Sequence, residues 1–87
     1  MLEKERQAIT EIDKELVALF EKRMHVAKEI ALVKAENHFP VYDAVREAAV
    51  IDGVLQHLSD DGLREELTQF YSDLMTISKN YQSKFIQ

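Results

Sequence analysis

One stretch constrains this chain more than any other: residues 2 to 35 read as a single long helix. Ile9, Ile12, Leu16, Leu19, Val26, Ile30 and Val33 recur at spacings of three and four, which places them on one stripe of a helix. Between Leu19 and Val26 the same stripe carries Arg23. A guanidinium cannot shed its proton, so within a buried stripe it needs an anion or destabilises the fold by several kcal/mol. No acidic residue of this helix lies on that stripe, which leaves two readings for Arg23. It forms a structural ion pair with a carboxylate from elsewhere, or it faces an anionic ligand. Length adds a second constraint. Some 34 residues at ~1.5 Å each make a rod of about 50 Å, whereas a compact domain of 87 residues has a radius of gyration near 12 Å, about what one chain can wrap. Such a rod overhangs any core its own chain builds, so a second copy is expected to cover the overhang.

The remainder of the chain divides into two further helices. Helix 1 is expected to end at Asn37-His38-Phe39-Pro40, because Pro40 disfavours helical geometry at Phe39. Helix 2 is expected from between Val41 and Asp43 to about Leu58, with Ala44, Val45, Ala48, Ile51, Leu55 and Leu58 on its apolar side and Gly53 as a weak point. Ser59-Asp60-Asp61-Gly62 supplies a break and a cap, and helix 3 is expected from about Asp60 to Phe85. Its seam reads Leu63, Leu67, Phe70, Leu74, Ile77 and Tyr81, and a neighbouring stripe reads Tyr71, Met75, Ser78 and Gln82. With two glycines and one proline there is almost nothing to punctuate strands, so the fold class is all-α, in a single domain over residues 1–87. The absence of cysteine excludes disulfides, thiolate metal sites and thiol nucleophiles. A net charge of -5 argues against nucleic acid. The charged N-terminus and the lack of a long apolar run point to a cytoplasmic protein without a membrane span.

Several polar residues stand out against this frame. Arg23 and Lys34 lie eleven residues apart, which puts them on one helix face to within about 20° and about 16 Å from each other, so long side chains could hold a small dianion between them. Asp43, Arg46 and Glu47 stand at i, i+3 and i+4 near the start of helix 2 and share a face. Arg6 lies about 25 Å from Arg23 along the helix and about 100° away in direction, out of reach within one chain but not in an antiparallel dimer. Each has an ordinary alternative: Arg6 as a solvated surface residue, Lys34 as a complement to the helix dipole, the helix 2 trio as a charged face. His25, His38 and His57 have no i+3 or i+4 pairing with one another, so no metal site is expected.

The ordered set Arg6-x-x-Ile9-x-x-Ile12-Asp13, Leu16-x-x-Leu19-x-x-x-Arg23, Lys34, Pro40-Val41-x-Asp43-x-x-Arg46-Glu47 and Ser78-x-x-x-Gln82 resembles the all-helical chorismate mutase family over nearly the whole chain. The resemblance implies an intertwined homodimer of three-helix chains in which each active site draws on both subunits. It implies rearrangement of chorismate to prephenate, a [3,3]-sigmatropic step in aromatic amino-acid biosynthesis, with no cofactor or metal. Arg6 from the other subunit and Arg23 would bind the two substrate carboxylates, with Arg46 supporting the same end. Lys34 and Gln82 would donate to the ether oxygen, Glu47 ahead of Asp43 would contact the hydroxyl, and Ser78 would lie beside the pocket.

Two other readings stand beside it. One is an isochorismate-pyruvate lyase of the same fold, which the complete Asp43-x-x-Arg46-Glu47 set disfavours because such lyases tend to lack it. The other is a noncatalytic helical dimer that binds a partner, which gives no reason for Arg23 to sit in the seam. No regulatory segment is recognised, so control by amino acids within this chain is not expected.

Overall fold

The computed structural model describes residues 1–86. Those residues form three α-helices and no strand: α1, Glu3–Glu36; α2, Ala44–Gln56; and α3, Arg64–Gln82. Single 3-10 turns, Asp61–Leu63 and Ser83–Phe85, lead into and out of α3. The stretch expected as one helix from Asp60 to Phe85 is therefore an α-helix with a tightened turn at each end, a common way of satisfying terminal backbone groups.

The end of α1 is made by backbone geometry ahead of the proline. Phe39 N–H donates to the Lys34 carbonyl at 2.8 Å, and His38 N–H donates to the Ala35 carbonyl at 3.3 Å. This pair of bonds is a Schellman closure, which needs a left-handed residue, and His38 takes that conformation at φ 58°. Asn37 Nδ2 adds a bond to the Val33 carbonyl at 2.8 Å. Pro40 then keeps the chain from re-entering a helix at once. At the start of α2, Asp43 is the N-cap, its carboxylate accepting from Arg46 N–H at 3.0 Å. Asp60 accepts from Gly62 N–H at 2.9 Å in the same manner. Helix α2 runs unbroken through Gly53 and ends at Gln56, short of the expected Leu58.

α3 packs on both α1 and α2, which do not pack on each other. The buried apolar residues are Met24, Ala27 and Ala31 of α1 with Leu74 and Met75 of α3. This differs from the stripe expected to be buried on α1: Leu19 is 61% and Val26 48% exposed, and Ile9, Ile12, Leu16, Ile30 and Val33 are exposed too. On α3, likewise, Phe70 and Ile77 are exposed while Leu74, Met75, Ser78 and Gln82 turn inward. The reason is steric. Ala27 and Ala31 have small side chains that let α3 approach α1 closely, and a helix with two adjacent apolar stripes can turn only one of them to a single neighbour.

Every residue of α1 from Glu3 to Lys22 is exposed. The chain measures 54 × 24 × 16 Å, with a radius of gyration of 15.8 Å, well above the ~12 Å of a compact domain this long. No helix among the described residues is long and apolar enough to cross a membrane.

Candidate active site

Because α1 and α2 are held apart and both rest on α3, they leave a groove of about 710 Å³ between them. From α1 the groove takes Lys22, Arg23 and Lys34 above apolar Leu19, Val26, Ala27 and Ile30. From α2 it takes Asp43 at the cap, then Arg46, Glu47 and Val50. α3 supplies Tyr71, Met75, Ser78, Lys79 and Gln82. Five cations thus face two carboxylates in a chain whose net charge is -5. Local potential, not overall charge, decides what such a groove attracts, and this one suits a small anion with apolar parts.

Each polar group is positioned by its local structure. Lys34 is fixed at both ends: its carbonyl is taken by the Schellman closure, and its Nζ donates to the Val41 carbonyl at 3.1 Å as the chain doubles back. Asp43 has Oδ1 committed to the α2 cap. Glu47, one turn on, is half-buried where Asp43 is exposed, and its Oε2 is paired with Lys79 Nζ at 3.2 Å, which leaves Oε1 for the groove. Arg23 has no carboxylate partner among the described residues; its guanidinium lies 5.9 Å from the centre of the Tyr71 ring. The structural ion pair considered for it is therefore not formed among these residues. Ser78 and Gln82 are 6% and 8% exposed, and neither side chain makes a hydrogen bond among the described residues. Their polar atoms are not sealed off, since no buried side-chain nitrogen or oxygen among these residues lacks a partner. A buried amide that retains access only through a groove is poised to bond whatever enters it. No three His, Asp or Glu side chains among the described residues converge as metal ligands would.

The groove thus brings together Arg23, Lys34, Asp43, Arg46, Glu47, Ser78 and Gln82 from all three helices. Arg6 is not among its lining residues and is exposed on the projecting half of α1. Among the charged and aromatic lining residues, Lys22, Lys79 and, as a site residue, Tyr71 were not brought forward from the sequence. Lys79 could have been suspected from its position between Ser78 and Gln82 on the same side of α3, but its partner could not.

The fold and site define an all-helical chain with a cationic groove built from three helices. The chain belongs to the chorismate mutase type II family, whose model matches residues 5–83. Among curated proteins it is 35% identical over 71 residues to the "Monofunctional chorismate mutase" of Enterobacter agglomerans, covering 80% of this chain and 39% of that protein. It is 29% identical over 77 residues to the "T-protein" of Haemophilus influenzae, covering 78% of this chain and 20% of that protein. The chain therefore spans only a minor part of the length of these two relatives. No solved structure matches it.

Proposed function

We propose that this chain, as one domain, rearranges chorismate to prephenate, and that it does so as a homodimer. The observation that carries the reading is the convergence of Arg23, Lys34, Arg46, Glu47 and Gln82 on one groove, with Arg23 lacking a carboxylate partner among the described residues. A sigmatropic rearrangement needs no nucleophile, metal or proton transfer. It needs the substrate held in its folded conformer and the breaking C–O bond met by fixed donors. In this reading Arg23 and Arg46 bind carboxylate, Lys34 and Gln82 face the ether oxygen, and Glu47 accepts from the substrate hydroxyl, with Asp43 and Ser78 beside it. Incubating the purified protein with chorismate and following loss of its absorbance tests this. Appearance of prephenate is the expected result. Pyruvate release would point to lyase chemistry, and no turnover to a noncatalytic helical dimer.

The dimer is supported by what one chain leaves uncovered. Its buried large side chains, Met24, Leu74 and Met75, contribute about 1.5–3 kcal/mol each, far less than the ordering of the backbone costs at ~1 kcal/mol or more per residue. Ile9, Ile12, Leu16 and Leu19 remain exposed along α1. A second copy laid antiparallel along α1 covers them and brings its Arg6 toward the open groove. Folding and association are then one transition, so the thermal midpoint should rise with protein concentration. A fully helical monomer in sedimentation at micromolar concentration would contradict this.

A further inference from the structure

Lys79 has no part in the reaction proposed above, yet its side chain sits where three segments meet. From α3 its Nζ lies 3.2 Å from Glu47 Oε2 on α2. The same Nζ lies 4.5 Å from the centre of the Tyr42 ring, in the connection between α1 and α2. The two side chains of the ion pair are 31% and 27% exposed. Among the described residues it is the one ion pair that joins two helices, the others being local to the start of the chain and α1.

Several charged groups share the groove with Glu47: Asp43 and Arg46 from α2, Lys22, Arg23 and Lys34 from α1, and Lys79 from α3. Lys79 alone is within ion-pair distance of it. A glutamate has three rotatable bonds, so without a fixed partner its carboxylate would divide its time between these cations and water. An ammonium held between a carboxylate and an aromatic face is restrained from two sides.

Resting on the mutase reading, we infer that Lys79 is a positioning residue. It occupies one oxygen of Glu47 and thereby holds the other toward the groove, where the substrate hydroxyl is to be bound. Through Tyr42 it also ties the connection ahead of α2 to α3. A pair this exposed adds little to folding stability. Its effect lies in placement, where a shift of ~1 Å in a contacting group costs up to about 10²-fold in rate.

The test is a double-mutant cycle on the intact protein with chorismate as substrate. Lys79→Met keeps the length of the stem and removes the charge; kcat should fall roughly 10-fold or more while the thermal midpoint stays near that of the parent. Lys79→Arg, which keeps the charge, should retain most of the rate. In a Glu47→Gln background, Lys79→Met should have no further effect, because the carboxylate it positions is gone. Independent, additive losses would instead mean that Lys79 acts on substrate directly, and an unchanged kcat in Lys79→Met would make the pair a mere surface contact; either overturns the inference. An active parent with an unaffected variant overturns this inference alone. A parent that forms no prephenate overturns the mutase reading and this inference with it.

Discussion

Arg23→Ala should abolish measurable turnover of chorismate while leaving the protein folded. Truncating one member of a desolvated, hydrogen-bonded charge pair costs about 2–5 kcal/mol, which is about 30- to 5,000-fold in kcat/KM. That cost falls on the substrate complex because no carboxylate of the chain's own described residues neutralises this guanidinium. Its contact within the chain is the Tyr71 ring at 5.9 Å, worth about 0.5–1 kcal/mol at such a site. The loss of that contact is set against relief from a half-buried, unpaired charge, so the thermal midpoint should stay level or rise slightly. Marked unfolding of Arg23→Ala, seen by circular dichroism, would instead assign the arginine a structural partner, one that the described residues of a single chain do not supply.

Lys34 and Gln82 should act on the transition state more than on ground-state binding. The ether oxygen they are proposed to face gains negative charge only as the C–O bond breaks, so donors fixed beside it are strengthened in the transition state alone. Lys34 is held by the Val41 carbonyl at 3.1 Å, and Gln82 is 8% exposed with its amide unengaged by the described residues. Removing either should lower kcat by about 10²-fold, roughly 3 kcal/mol, with a smaller change in KM. Gln82→Glu sharpens the expectation. A carboxyl group donates only when protonated, so activity in that variant should be greatest at acidic pH and decline as the carboxyl ionises. An unchanged pH profile in Gln82→Glu would remove Gln82 from the ether oxygen, and a change confined to KM in Lys34→Ala would move Lys34 to carboxylate binding.

Much of this arrangement follows from interactions between residues near in sequence. The cap at Asp43, the turn at Asp60 and the restriction imposed by Pro40 act over a few residues, so the three helices and their breaks are legible without any tertiary contact. The same holds for sets along one helix. Arg23 with Lys34, Asp43 with Arg46 and Glu47, and Ser78 with Gln82 share faces because of helical pitch, and those residues all line the groove. The stop of α1, expected at Asn37 to Pro40 and found at Glu36 with Asn37 as the cap, was legible too; the left-handed His38 that closes it, where glycine is usual, was not.

Periodicity alone determined that α1 carries apolar stripes and a length beyond the needs of one chain. It did not determine which stripe faces α3. Tertiary packing settled that in favour of Met24, Ala27 and Ala31, because the approach of two helices depends on the side chains of both, and small residues read from one helix look merely permissive. The pairing of Lys79 with Glu47 at 3.2 Å was decided at the same level. Those two residues lie on different helices, and only the way α2 and α3 dock brings an ammonium and a carboxylate within reach of each other.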